Sequence, residues 1–300
     1  MRTFEVHGPS GPFGAAEVVG LVPVRDIADA AACDAVRKAL AEHGVVCLRI
    51  DAALDEKTFR RVAQMFGPIK DPLGRTRDGA ELRYDTEMQI IDSGFVLTDE
   101  LREQLGGISF GGLDERRPGL FETFHVDDTY TELPARATVL NAQALPPSGG
   151  GDTCFLDMRA AYDLLDPEMQ RRLHGLRAVC AYNSHNAFPS RVSASGPNDA
   201  LAEVAHPLVR THPVTGRRAL YIDLDRATHV DRMAVDAGRA LLQALQNHAE
   251  ERAPRCRHRW QAHDVLVWDN ASVQHKASGD FPMGEPRRFY RFLIAGPKPI

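Results

Sequence analysis

Lysine is scarce in this chain. Of 36 basic residues only Lys38, Lys57, Lys70, Lys276 and Lys298 are lysine, and arginine supplies the rest. With a formal net charge of -5 there is no excess of positive charge, and no basic stripe of the kind that tracks a phosphate backbone, so nucleic acid is not an expected partner. Cysteine is limited to five residues, Cys33, Cys47, Cys154, Cys180 and Cys256, scattered and without a C-x-x-C pair. That argues against a disulfide framework and for reduced, buried thiols in a cytosolic protein. Long apolar runs are missing: none approaches the roughly 20 residues that cross a bilayer, and the opening MRTFEVHGPSGPFG has no apolar h-region. Neither a membrane span nor a signal peptide is expected. Internal repeats and low-complexity stretches are also absent. The 300 residues are therefore read as one large domain, 1–300, with small molecules and further copies of the chain as the expected partners.

What is present is an ordinary globular composition, 43% hydrophobic and 26% charged. Residues 30–43 predict a helix stopped by Gly44. VVCLRI (45–50) predicts a buried strand. Asp55 is placed to cap a helix running through Met65, with Phe59, Val62, Ala63 and Phe66 on one face and Gly67-Pro68 ending it. Later, 157–175 predict two short helices, the second entered through Asp166-Pro167-Glu168. Strands are predicted at 176–182, 206–213, 217–224, 257–261, 264–270 and 287–295, and a helix at 235–252. Helices cluster early and strands dominate the second half, without regular alternation. That pattern favours a mainly β chain, an antiparallel barrel or jelly roll with helices packed outside, over a doubly wound parallel sheet. Residues 70–123 are rich in Gly, Asp and Arg, with a strand expected near 87–91 and a short helix near 99–105. Such a stretch reads either as plain surface loop or, since long loops inside a compact domain often carry function, as a lid or substrate loop.

The chemistry starts at His125-Val126-Asp127. In an extended strand, residues two apart point to the same side, so an imidazole and a carboxylate converge. With a distant second histidine they make the two-histidine, one-carboxylate set that suits non-haem Fe(II), because three adjacent coordination positions stay open. The triplet recurs at His229-Val230-Asp231, just before the 235–252 helix, where a polar residue is expected as a cap or first-turn acid. The second copy is read as structural.

The company of the first triplet separates it from the second. HVDD, the GGDT turn ending at Thr153, HPLVRTHPVTGRRALYI, WDNASVQH and the terminal arginines occur in order. In these pieces, from about residue 15 to the end and most weakly between 70 and 120, the sequence resembles the taurine/2,4-D dioxygenase family of Fe(II)/2-oxoglutarate enzymes. The resemblance implies a double-stranded β-helix (jelly roll) core, Fe(II) as cofactor, and 2-oxoglutarate and O2 as cosubstrates. It implies His125, Asp127 and His275 as iron ligands, with Thr153 and Arg287 on the distal carboxylate of 2-oxoglutarate. Arg288 stands as the rival of Arg287, since the gap after His275 is about one residue longer than the common pattern. Arg291 shares a strand face with Arg287 by parity and is implied in the active site, near an anionic substrate group. Phe124 departs from the tryptophan that relatives often carry there. Trp268 is read as core packing, Asp269-Asn270 as a turn, and Gly149–Gly151 as a tight bend.

The implied reaction is oxidation of an unactivated C–H, by default hydroxylation, with release of succinate and CO2. Desaturation or another oxidative rearrangement is the alternative on the same site. Asp127 argues against a halogenase, which needs that coordination position for halide. Arg75, Arg77, Tyr84 and Arg291 are the candidate substrate contacts, pointing to a small anionic or amino-acid-like molecule. A zinc-type hydrolase or lyase and a non-catalytic jelly-roll binding protein are the competing readings of the same ligands.

Overall fold

The computed structural model describes residues 4–70, 73–75, 81–83, 88–92, 123–182, 202–282 and 284–300. In chain order the elements are β1 (Glu5–His7), β2 (Ala16–Val19), α1 (Pro23–Asp26), α2 (Ala30–His43), β3 (Val45–Arg49), α3 (Glu56–Gln64), β4 (Leu73–Arg75), β5 (Glu81–Arg83) and β6 (Gln89–Asp92). There follow β7 (Ala137–Ala144), β8 (Thr153–Asp157), α4 (Met158–Asp163), α5 (Pro167–Leu173), β9 (Arg177–Cys180), β10 (Val204–Pro207), β11 (Val209–Thr211), β12 (Arg218–Leu220) and β13 (Ala227–Val230). The last are α6 (Val235–Arg252), β14 (Arg255–His258), β15 (Val265–Asp269), β16 (Val273–Ala277) and β17 (Arg288–Ile294).

The chain is mainly β with a few helices. A seven-stranded sheet runs β1-β2-β3-β15-β7-β17-β6, and a three-stranded sheet runs β14-β8-β16. Apart from the parallel β2–β3 pair, the ladders among the described strands are antiparallel. Two helices cover the outer face of the large sheet, and their ends follow from sequence. Asp29 accepts from Ala31 N to start α2, which stops at Gly44 in the left-handed region (φ 80°). Asp55 accepts from Thr58 N at 2.7 Å to start α3. Val36, Leu40, Phe59 and Val62 of these helices pack on Val46, Leu48, Val139, Val267 and Phe292 of the sheet. Each such side chain contributes on the order of 1.5–3 kcal/mol by leaving water.

The inner face of the large sheet meets the small one. Cys47, Leu140, Leu266, Trp268 and Phe289 pack there against Phe155 of β8 and Val273 of β16. The period of two along β8 decides what faces where: Thr153 and Phe155 look inward, while Leu156 joins a third cluster with α4, α6 and β9–β13. Strand β16 alternates likewise, with His275 opposite Phe155 and Ala277 opposite Thr153.

Some sequence expectations fall outside the described residues, and others need correction. The helix expected near 99–105 lies outside the described residues, as does most of the lid expected within 70–123. The RHRWQ strand begins and ends earlier, at Arg255–His258, so Trp260 lies beyond it. HPLVRTHP divides into β10 and β11, which belong to different sheets. His229 lies on β13, but Asp231 does not cap α6, whose N-cap Ala234 makes no side-chain bond; Asp236 is the first-turn acid, and Asp231 pairs with Arg232 at 3.5 Å.

Candidate active site

His125-Val126-Asp127 is not on a regular strand. His125 makes a single antiparallel bridge to His275, N to O at 3.1 Å and back at 3.0 Å, and the chain then turns, with Asp128 at φ 68°. The strand argument thus gave the right convergence for an incomplete reason. Two hydroxyls hold this segment where a ladder would. Thr123 Oγ1 donates to Asp225 Oδ2 at 2.6 Å and Thr129 Oγ1 to Asp223 Oδ2 at 2.7 Å, one on each side of the triplet. The buried Lys70 ammonium pairs with Asp128 and reaches Thr131 Oγ1 at 3.3 Å, pinning the turn.

The structure brings His125, Asp127 and His275 together, with ligand atoms of the three within 4.8 Å of one another. The imidazole rings lie 4.3 Å apart, and His275 Nε2 is 3.6 Å from Asp127 Oδ2. His125 Nδ1 donates to the Thr123 carbonyl at 2.9 Å, which fixes the tautomer and leaves Nε2 as the lone-pair nitrogen. His275 is seated against Trp268 (4.4 Å) and Phe155 (6.3 Å), so Trp268 does pack as core, directly behind a candidate ligand. Burial, and then the neighbouring His125, push the His275 pKa down to about 3, so the ring is neutral at neutral pH. Burial opposes ionisation of Asp127, but the adjacent His275 ring, the Arg291 guanidinium, the His125 ring and the Thr138 hydroxyl together outweigh it, and its pKa falls to about 2.

Asp127 is further oriented from behind. Thr138 Oγ1 donates to Oδ2 at 2.6 Å, and Asn270 Nδ2 donates to that hydroxyl at 3.0 Å. Asn270 therefore does more than shape a turn. Its neighbour Asp269 does shape one, accepting from Ala271 N at 2.8 Å, and also accepts from buried His212 Nε2 at 2.8 Å. Arg291 Nη1 lies 3.3 Å from Asp127 Oδ1, while its Nε and Nη2 share Gln89 Oε1, the former at 2.7 Å.

Thr153 and Arg287 form a second part of the site. Thr153 is one dyad step from His275 on the same face of the small sheet, and its Oγ1 accepts from Trp260 Nε1 at 3.1 Å. Arg287 is 4% exposed, donates from Nε to Gly151 O at 2.8 Å and lies over the Phe289 ring at 4.5 Å. Arg288 is exposed at the start of β17. The glycine turn makes the approach of Arg287 possible: a Cβ on Gly151 (φ 66°) would stand 3.0 Å from Arg287 Cδ, and one on Gly150 (φ 82°) 2.5 Å from Asp280 O. Tyr84 and Arg77 lie outside the described residues, and Arg75 is described only as backbone in β4, paired with Glu81.

A second trio, Cys47, His258 and Asp264, has donor atoms equally close, but its character differs. Asp264 Oδ2 already accepts from Arg49 Nη1 at 2.6 Å and Gln261 N at 2.9 Å. Burial drives the Cys47 thiol well above its usual range, so it stays protonated. The first trio, by contrast, offers two imidazoles, that of His275 neutral, and an ionised carboxylate, and His275 Nδ1 is a buried polar atom without a partner among the described residues. That donor set fits a divalent transition metal.

The chain belongs to the taurine catabolism dioxygenase TauD, TfdA family, whose model matches residues 6–293. It is 42% identical over 156 residues to the alpha-ketoglutarate-dependent 2,4-dichlorophenoxyacetate dioxygenase of Cupriavidus pinatubonensis, a match covering 52% of this chain and 54% of that one. The chain thus spans about half the length of that relative. Over 305 residues it is 27% identical to the alpha-ketoglutarate-dependent sulfate ester dioxygenase of Pseudomonas putida, covering 99% and 91% of the two chains. Among solved structures it resembles AAD-2 in complex with Mn(II) and N-oxalylglycine, with a TM-score of 0.77, 25% identity and coverage of 99% and 98%.

Proposed function

We propose that this protein is an Fe(II)- and 2-oxoglutarate-dependent dioxygenase that hydroxylates a C–H of a small molecule bearing a carboxylate or sulfate. The observation that carries the reading is the convergence of the His125, Asp127 and His275 ligand atoms within 4.8 Å of one another, with Thr153 one dyad step along the small sheet from His275 and Arg287 buried against the Gly151 carbonyl. The two facing sheets are read as the halves of a double-stranded β-helix, in one domain placed in the cytoplasm.

His125, Asp127 and His275 would hold the iron on one face, and Thr153 with Arg287 would take the distal carboxylate of 2-oxoglutarate. When bound, the metal and cosubstrate supply the oxidising power, with 2-oxoglutarate converted to succinate and CO2. The protein's own part is position and electrostatics. The Asn270–Thr138 chain holds the Asp127 carboxylate in one rotamer, and the Thr123 carbonyl holds the His125 ring. Burial of Arg287 and exposure of Arg288 favour Arg287 as the carboxylate partner, where a planar guanidinium meets two oxygens with parallel bonds. Arg291, beside Asp127, is the group to face a substrate anion.

The relatives named for 2,4-dichlorophenoxyacetate, sulfate esters and (S)-phenoxypropionate support that substrate class. A panel of aryloxyalkanoates and alkyl sulfates, scored by succinate release, tests it. Stimulation by a member that carries the anion, and none by its uncharged analogue, is expected. Equal stimulation by both would remove the anion from the proposal.

A further inference from the structure

Trp260 links the two candidate carboxylate anchors, touching Thr153 directly and reaching Arg287 through the ring of Phe289. Its Nε1 donates to Thr153 Oγ1 at 3.1 Å. Its ring lies 4.5 Å from that of Phe289, and the Arg287 guanidinium lies 4.5 Å over the same Phe289 ring. We propose that Trp260 is a positioning residue for 2-oxoglutarate, imposing the donor role on Thr153 and supporting the platform under Arg287. This inference rests on the cosubstrate reading given above.

The argument is one of hydrogen-bond inventory. An indole nitrogen can only donate, while a threonine hydroxyl has one proton and two lone pairs. With a lone pair committed to Trp260, the hydroxyl proton is left for another acceptor, and a carboxylate is purely an acceptor. The same bond selects one χ1 for a side chain that otherwise divides between rotamers. Trp260 is itself held: the His258 ring meets it edge-on at 5.0 Å, His258 Nε2 is 3.3 Å from Asp264 Oδ2, and Asp264 is fixed by Arg49 at 2.6 Å. The buried Cys47, His258 and Asp264 group thus acquires a use that needs no metal, as the rigid backing of the indole. The chain's other tryptophan differs in kind, since Trp268 Nε1 is buried without a partner among the described residues.

Trp260→Phe keeps an aromatic ring against Phe289 while removing the indole N–H along with the smaller ring that carries it. In calorimetric titration of the Mn(II)-loaded protein, its Kd for 2-oxoglutarate should rise about fivefold, the size of one neutral hydrogen bond. Mn(II) affinity and Tm should stay at wild-type values. In a Thr153→Ala background the same change should add no further loss, because the bond it deletes is already gone. An unchanged Kd in Trp260→Phe, or losses that multiply in the double variant, would overturn the proposal. Wild-type protein that binds Mn(II) but not 2-oxoglutarate would instead sink the cosubstrate reading itself.

A second readout leaves Trp260 in place. With two tryptophans, the 15N-labelled, Zn(II)-loaded protein has two indole N–H resonances. Thr153→Ala should move the one from Trp260 upfield, and 2-oxoglutarate should shift it in the wild type only. Indifference of that resonance to Thr153→Ala would show that the bond does not exist in solution.

Discussion

At the scale of single residues, the candidate ligands are held by side chains that carry no motif of their own. Thr138 is fully buried and donates to Asp127 Oδ2 at 2.6 Å, with Asn270 behind it at 3.0 Å. Thr138→Val keeps the shape, deletes the donor and leaves the Asn270 amide without its acceptor. Its affinity for Fe(II) should fall about tenfold, the lower end of what such supporting partners contribute, as measured by competition with a chelator. Undiminished affinity would mean that Asp127 needs no orientation from Thr138. The residues that converge were named from the sequence, where HVDD and WDNASVQH hold the candidate ligands within a few positions, and the structure brings their ligand atoms together. Thr138 was not, because it lies 132 positions from Asn270 and only pairing in space joins them. A subtler signal was on the page: Thr123 and Thr129 flank the triplet, and Asp223 and Asp225 lie together in YIDLD, hydroxyls and carboxylates that become partners.

At the scale of elements, the junction of β8 and α4 shows how the small sheet is tied to the helical layer. Asp157 caps α4 through Arg159 N and Ala160 N and pairs with the Arg159 guanidinium at 2.9 Å. Arg159, 3% exposed, reaches on to Glu42 O at 2.9 Å and His43 O at 3.1 Å, satisfying carbonyls at the end of α2. Arg159→Met leaves Asp157 charged and buried without its partner, and should destabilise the protein by about 3 kcal/mol in denaturant unfolding. A loss under about 1 kcal/mol would mean that water replaces the guanidinium. Elements defined by periodicity and caps were legible: α2 and α6 fall within the ranges read from sequence, and α3 ends one residue short of its C-cap Met65. Strand β16 was not. VQHKA lacks the apolar alternation of a strand because its inward face carries polar His275 between Val273 and Ala277, while outward Gln274 is buried in polar contacts with Gln246 at 3.0 Å and Ile222 O at 2.8 Å.

At the scale of the whole molecule, three packed clusters hold the sheets and helices, and the layer around β9–β13 contains a buried histidine that couples stability to pH. Burial, together with nearby Arg210 and Arg177, lowers the His206 pKa to about 4, against 6.5 for the free side chain. The unfolded chain therefore takes up a proton between about pH 6.5 and 4 that the folded protein refuses. Stability is full above that window and declines as pH falls through it, by on the order of 3 kcal/mol from this group. Equilibrium unfolding across that range should show the slope, and His206→Gln should reduce it, leaving the share that buried His275 contributes over the same window; a slope unchanged in the variant would place the effect elsewhere. The mainly β class was legible from the order of predicted elements. The division of HPLVRTHP between two sheets was not, because register between distant strands is set by packing rather than by local pattern.

The central claim, that one site binds Fe(II) and 2-oxoglutarate together, is tested most directly without oxygen. Fe(II) and then 2-oxoglutarate are added to the metal-free protein, and the weak visible charge-transfer band of the chelate is followed, with His275→Ala and Arg287→Ala alongside. The band should appear in the wild type, vanish in His275→Ala, and require far more 2-oxoglutarate in Arg287→Ala. Iron bound by the wild type with no band at saturating 2-oxoglutarate would contradict the claim.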